Sequence, residues 1–291
     1  MNNNVWSYRE EFPFTSRYFQ TEAGSLHYVD EGDGNPVVFI HGYPAWSFTW
    51  RKLIGGLCCD HRCIAVDLIG FGLSEKPASW SYLPEAQARV IEKLLFHLGL
   101  SDVTLVVNGW GGPIGLSWAI HYPDLVNKII LLNTWMWPRQ GRSGGSRLPL
   151  PGHGARYLLA DILGLGSTRA LLPAIGERPL FPRRIRRHYG GYPRTGVTKK
   201  AAAVLCSELQ TGSPWLELMR RSLSRLRDKP AMMIWGMKDG ISPQGSLDRW
   251  KEIFPYRRVI ELGDTGHFPQ EEKGTSLVLP VRNFLRYGLN A

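Results

Sequence analysis

Short runs of apolar and β-branched residues recur along the chain, separated by stretches in which apolar positions return every three or four residues. Val37-Val38-Phe39-Ile40, Cys63-Ile64-Ala65-Val66 and the runs at 103–107 and 129–132 read as strands buried on both faces. Helical spacing fills the intervals at 47–59, 83–98 and 112–121. Apolar strands alternating with helices predict a mostly parallel sheet covered on both sides. A leading pair, 17–21 and 26–30, predicts an antiparallel hairpin turning at Ala23-Gly24. From Pro138 to about Lys229 the pattern changes: Gly, Pro and Arg dominate, no strand-like run occurs, and short helical stretches (154–163, 182–188, 197–209, 214–226) are broken by Pro and Gly. Strand and helix then alternate again at 231–235, 243–254, 258–262 and 275–287. The pattern therefore predicts an α/β domain with an eight-stranded sheet. Residues 1–137 form its first part, 138–228 an inserted helical cap and 229–291 its second part.

At 291 residues and 43% hydrophobic, the chain is long enough for one large core carrying an inserted subdomain. Its 11 Trp, 11 Tyr and 11 Phe suit an apolar pocket as well as core filling. No apolar run reaches the roughly 18 residues a membrane span needs, so no transmembrane segment is expected. The start, Met1-Asn2-Asn3-Asn4, has neither a basic nor an apolar stretch of the kind a secretory signal uses. Cys58, Cys59, Cys63 and Cys206 show no metal-ligand spacing, and reduced thiols in a cytoplasmic protein are the expectation. No metal or organic cofactor is implied, because neither a ligand cluster nor a phosphate-cradling loop is present.

The formal charge of +10 is uneven: residues 139–228 hold 17 Lys and Arg against five Asp and Glu, and Arg183-Arg184-Ile185-Arg186-Arg187 is the densest stretch. A solvated Arg-rich surface accounts for this, and so does attraction to an anionic substrate or to acidic lipid headgroups. No nucleic-acid-binding module accompanies the charge, so nucleic acid is not expected as a partner. The expected ligand is a small apolar or anionic molecule, and the oligomeric state stays open.

Candidate chemistry lies where predicted strands end. His41-Gly42-Tyr43-Pro44 follows the strand ending at Ile40, and its turn can aim the Tyr43 N–H at a developing negative charge. Asp67 to Ser74 forms a Gly-rich loop after the next strand, with Asp67 in a structural hydrogen-bonding role. Val106-Val107-Asn108-Gly109-Trp110-Gly111-Gly112 has the spacing of a nucleophile elbow: a strand, a sharp turn, then small residues opening a helix. The central position of such an elbow carries Ser, Cys or Asp in an active hydrolase; here it is Gly109, which has no side chain with which to attack. The N–H of Trp110, next in the chain, can serve as an oxyanion donor. Asp239, after a buried strand, and His267, in the loop after the last one, complete the order elbow, acid, base. Asp239 would hold the imidazole of His267 in one tautomer and stabilise its charged form.

With these motifs the sequence resembles the haloalkane dehalogenases of the α/β-hydrolase fold, and it is similar also to the β-lactone decarboxylases of olefin biosynthesis. The likeness runs through HGYPAWSFTWR, CIAVDLIGFGLSEKP, GWGGPIGLSWA, LLNTWMWP, WGMKD and GHFPQEE. It implies an Asp at the position of Gly109 that displaces halide from carbon, and an ester that water then hydrolyses under base catalysis by His267 supported by Asp239. It also implies that the indole N–H of Trp110 holds the leaving halide. A second halide donor is an Asn in the first motif or a Trp near the cap. Tyr43 stands in place of that Asn, which leaves Trp135, Trp137 and Trp215 as pocket candidates.

Three readings of Gly109 follow. The chain derives from a dehalogenase-like hydrolase by an Asp→Gly change and binds such substrates without turning them over. Alternatively, His267 and Asp239 act as a general base in a non-covalent reaction, such as ester or lactone hydrolysis, a lyase step or a cyclisation. The third reading is a ligand-binding protein on an enzyme fold.

Overall fold

Strands that bury both faces can sit only inside a covered sheet, and that is where the apolar runs lie. A computed structural model describes residues 10–137, 185, 188–189 and 196–290. Eight strands form one sheet: β1 (Ser16–Thr21), β2 (Gly24–Glu31), β3 (Pro36–Ile40), β4 (Arg62–Val66), β5 (Val103–Gly109), β6 (Val126–Thr134), β7 (Ala231–Gly236) and β8 (Arg257–Leu262). Their order is β1-β2-β4-β3-β5-β6-β7-β8. The hairpin strand β2 runs against both β1 and β4, and every pairing from β4 through β8 is parallel. This is the α/β-hydrolase arrangement.

The two-residue period of the strands divides the core into two layers. Val38, Ile40, Ile64, Val66, Leu105, Val107 and Leu131 face one side, where they meet α2 (Pro84–His97) and α3 (Gly111–His121) through Ile91, Leu94, Ile114 and Trp118. Their neighbours Val37, Phe39, Cys63, Ala65, Val106, Ile130 and Leu132 face the other, against α1 (Arg51–Leu57) and the last long helix. The remaining described helices are α4 (Gly196–Thr211), α5 (Pro214–Arg221), α6 (Ser246–Ile253), α7 (Pro269–Glu272) and α8 (Gly274–Tyr287). Among the described residues no helix is long and apolar enough to cross a membrane, and the four cysteines are free thiols.

Several boundaries differ from expectation for local reasons. The predicted helix at 47–59 opens as a 3-10 turn, Ser47–Trp50, before α1 begins. The one at 214–226 is split by Ser222, whose hydroxyl donates back to the Leu218 carbonyl at 2.9 Å, and continues as a 3-10 turn. The one at 243–254 starts three residues late because Gly245 is left-handed, with φ +73°. The helices expected at 154–163 and most of 182–188 lie outside the described residues, as does most of the expected cap, including Arg183, Arg184, Arg186 and Arg187. What is described of 185–189 is fastened to the body: the Trp46 indole donates to the His188 carbonyl at 3.1 Å, and the Tyr189 hydroxyl donates to Glu271 at 2.8 Å.

That last bond joins a buried ion pair. Arg51 grips Glu271 with both terminal nitrogens, one at 2.8 Å, and both side chains are buried. Burial pushes the Glu271 carboxyl up, but hydrogen bonding and charge from Arg51 outweigh it, and the net shift is downward. Among the described residues Glu11 is a further acid near Arg51, at 3.8 Å. Glu271→Ala leaves the Arg51 charge buried without its main partner and should cost about 3–5 kcal/mol of folding stability. Urea denaturation measures it; a loss below about 1 kcal/mol would mean the pair behaves like an exposed one.

Candidate active site

Parallel strands gather their C-terminal ends along one edge of the sheet, and ligands of open α/β sheets bind there. Four of these ends meet here. β5 stays in register with β6 from Thr104 through Asn108, shifts at Gly109 and gives way through Trp110 to α3. Gly109 has φ +54°, a conformation that costs an L side chain about 1–2 kcal/mol. Its carbonyl accepts from Thr134 Oγ1 at 2.6 Å. Two residues on, a Cβ at Gly111 would lie 2.0 Å from the Ile40 carbonyl oxygen, so only glycine fits where the turn passes the end of β3.

The His41-Gly42-Tyr43-Pro44 loop closes over the same point. His41 is buried, and burial pushes its imidazole pKa down. Its Nε2 accepts from the Leu68 N–H at 3.0 Å and its Nδ1 donates to Gly42 at 2.9 Å, so it fixes the loop. Gly42 backs onto the elbow: a Cβ there would meet the Asn108 carbonyl oxygen and the Trp110 nitrogen, each at 2.8 Å. Tyr43 is buried, with its ring centroid 5.8 Å from that of Phe71.

His267 comes to this point from the far side. A Cβ built on Gly109 would lie 3.1 Å from His267 Nε2 and 3.4 Å from the Gly42 Cα. The imidazole is completely buried, and Nε2 has no hydrogen-bond partner among the described residues. Its other nitrogen, Nδ1, donates to Asp239 Oδ2 at 2.9 Å. Asp239 also accepts from Asn133 Nδ2 at 2.9 Å, Ser242 Oγ at 2.5 Å and the Ile241 N–H at 2.7 Å. Burial pushes this carboxyl up, but the charge of His267 and these donors overcome it and hold the pKa at about 2. An ionised acid behind Nδ1 leaves Nε2 as the lone-pair nitrogen, ready to take a proton.

The sequence-predicted residues separate into two groups. Gly109, Trp110, His267, Asp239 and Trp135 come together: the Trp135 ring stacks on His267 with centroids 6.0 Å apart and meets Trp110 edge to face at 5.8 Å. The buried Trp135 indole nitrogen has no partner among the described residues. Trp137 and Trp215 are engaged in packing. The Trp137 indole donates to Ser246 Oγ at 3.2 Å and its ring packs on Trp250 at 5.0 Å, while Trp215 is half-buried against the core layer of α2 and α3. Trp137 is therefore not available as a leaving-group donor without breaking that bond.

Four residues were given no supporting role by the sequence reading. Asn133, at the end of β6 with φ +34°, donates to Asp239 and to the Gly236 carbonyl, and accepts from the Gly236 N–H at 2.8 Å. Asn108 donates to the carbonyls of Leu132 and His267 at 2.9 and 3.0 Å, and accepts from Gln270 at 3.1 Å. The signal for Asn133 was one polar residue interrupting an apolar strand end. Ser242 and Gln270 carry no local signal at all.

Known proteins share this plan. The model of the alpha/beta hydrolase fold family matches residues 35–274. Haloalkane dehalogenase 2 of Mycobacterium tuberculosis is 35% identical over 90% of this chain and 91% of its own length. The cis-3-alkyl-4-alkyloxetan-2-one decarboxylase of Shewanella oneidensis is 30% identical over 94% of this chain and 89% of its own. Among solved structures, a haloalkane dehalogenase loop variant from Bradyrhizobium elkanii superposes with a TM-score of 0.79 at 21% identity, covering 95% of this chain and 97% of that one.

Asn133 bridges the acid loop to β6 at a positive φ that Asn tolerates better than Ala. Asn133→Ala should therefore cost about 3 kcal/mol, from orphaned buried partners and backbone strain together. Urea unfolding tests this, and a cost below about 1 kcal/mol would remove Asn133 from the support of Asp239.

Proposed function

The chain belongs to the haloalkane-dehalogenase-like α/β-hydrolases, and from that premise we propose that it is a hydrolase without the covalent route, using His267 and Asp239 as a general base. Gly109 stands, in this reading, where the family's attacking carboxylate would be. Without that group no ester intermediate forms, and loss of a nucleophile from such a unit costs roughly 10⁴–10⁶ in rate.

The observation that carries the reading is the state of His267. Its Nδ1 is locked to an ionised, multiply bonded Asp239, while its buried Nε2 has no partner and lies 3.1 Å from a Cβ position that glycine leaves open. A base so oriented can take a proton from a water molecule as its oxygen bonds to an ester or lactone carbonyl carbon. The carbon–oxygen bond to the leaving alkoxide then breaks, and the imidazolium returns the proton to that oxygen. The N–H groups of Trp110 and Tyr43 are the proposed donors to the oxyanion, with Trp135 walling the pocket. Strained lactones are the favoured substrates, because ring strain lowers the demand on a site that has no nucleophile of its own. The similarity to an oxetan-2-one decarboxylase points the same way.

Retaining the dyad favours catalysis over simple binding. A pocket that only held a ligand would gain nothing from a buried acid kept ionised behind a base.

The unmodified protein should open β-lactones at a rate that His267→Ala lowers by about 10²–10⁴. Ring opening followed by infrared loss of the lactone carbonyl measures this, and equal rates in the two proteins would remove the dyad from the reaction.

Gly109→Asp should gain bromide release from 1-bromoalkanes, read by halide assay, at a stability cost of about 1–2 kcal/mol for the left-handed backbone. The imidazole must yield by a few tenths of an ångström to admit the new side chain. A folded variant releasing no bromide across a range of chain lengths would refute the placement of Gly109 at the attack position.

A further inference from the structure

A second histidine–aspartate pair lies between β2 and the loop after β4, and unlike the first it has a hydroxyl on the open nitrogen. His27, at the middle of β2, is completely buried and places Nδ1 2.8 Å from Asp67 Oδ2. Its Nε2 lies 3.0 Å from Ser16 Oγ, on the edge strand β1. Asp67 is buried and accepts also from the Ser47 and Leu73 N–H groups at 2.6 and 2.7 Å, so it is fixed and acceptor-only on the His27 side. Burial pushes its carboxyl up, and the charge and hydrogen bond of His27 outweigh that to give a net downward shift. An ionised Asp67 holds a proton on Nδ1, and in the neutral imidazole Nε2 is then an acceptor with the Ser16 hydroxyl as its donor.

Acid, imidazole and serine thus stand in the order and at the separations of a hydrolytic triad. Ser16 differs from the other members in being exposed, and the Tyr18 ring, 52% exposed, stands beside His27 with centroids 5.3 Å apart. Holding β1 to β2 does not need this hydroxyl, since the strands are already paired along their length from Ser16 to Thr21. The loop after β4 is likewise fastened by backbone groups on Asp67.

We propose that Ser16 is a base-activated nucleophile that accepts acyl or phosphonyl groups from activated donors with an aryl or halide leaving group. The hydroxyl oxygen bonds to the carbonyl carbon or phosphorus, its proton passes to His27 Nε2, and the leaving group departs with the bonding electrons. The imidazolium then returns its proton to the solvent or to the departing group. An exposed strand edge offers no enclosed pocket, so the chemistry is acceptance of reactive donors in general. Tyr18 gives an aryl group a surface to rest on.

A fluorophosphonate probe tests this cleanly, because Gly109 leaves no nucleophile at the elbow. The folded full chain is treated with the probe, and modified serines are located and timed by peptide mass spectrometry. Phosphonylation of Ser16, with loss of fluoride, should run about 10²-fold or more faster than at the exposed Ser79 and Ser101. In denaturing urea the advantage should vanish, because it comes from His27 and not from the local sequence. Ser16→Ala should remove the fast-labelled peptide while the slow background at Ser79 and Ser101 remains. Labelling of Ser16 at the same rate as those two serines in the folded chain would overturn the proposal, and so would an advantage that persists in urea.

Discussion

A carboxylate shut away from water must be surrounded by donors or give up its charge, and the C-terminal edge of this sheet is arranged so that Asp239 keeps its own. Three elements contribute four donors. β6 sends Asn133, the loop after β7 sends the Ile241 N–H and the Ser242 hydroxyl, and the loop after β8 sends His267. Each donor is far from at least one other in sequence, so the charge can be supported only once the sheet has assembled. Asn133 then ties the acid loop back to Gly236, and Asn108 ties the backbone of His267 to the end of β6. The ionised acid in turn fixes which imidazole nitrogen faces the elbow.

That chain of dependence does not pass through a side chain at position 109. The turn after β5 is held by the Thr134 hydroxyl on the Gly109 carbonyl and by the fit of Gly111 against Ile40. Gly109 meets the positive φ with less strain than any other residue. The elbow, the loop of His41 and the dyad therefore need no side chain at position 109 to hold their places. The architecture shows what the fold requires, and the chemistry depends on what the remaining base can reach.

The strands and the order elbow, acid, base were legible in the sequence because both depend on local pattern. Two-sided burial writes an apolar run, and a turn that grazes a neighbouring strand writes glycine. Gly111, within 2.0 Å of Ile40 at the Cβ position, is such a case. Partners that meet only through the fold were not legible. Glu271 and Arg51 are 220 positions apart, and Gln270 reaches Thr49 and Asn108 from a comparable distance. Asn133 left a faint trace, one amide at the end of an apolar strand, which is as consistent with a strand terminus as with a buried support. Trp135 and Trp137 were indistinguishable on paper. Both lie beyond the last residue of β6, where the two-residue period no longer applies, and one meets His267 while the other meets Ser246 and Trp250.

The two histidine–aspartate pairs show why geometry within a pair is a weak guide to what it does. Their Nδ1–carboxylate separations, 2.9 and 2.8 Å, are nearly equal, and both acids are buried and held by backbone N–H groups. What distinguishes them is the other nitrogen. His267 Nε2 sits in an enclosed site beside a glycine, so any proton it takes must come from a molecule that enters. His27 Nε2 already has a hydroxyl, at the rim of the sheet and open to solvent. In the proposed readings the first arrangement is a buried base without a nucleophile, and the second an exposed hydroxyl without an enclosing pocket. In the readings proposed above neither is a complete site by the covalent plan of the family, because the exposed serine stands on the edge strand β1 and the enclosed base faces the end of the central strand β5. A single chain carrying both therefore separates experimentally what a conventional hydrolase combines: the contribution of an oriented base and the contribution of the pocket around it.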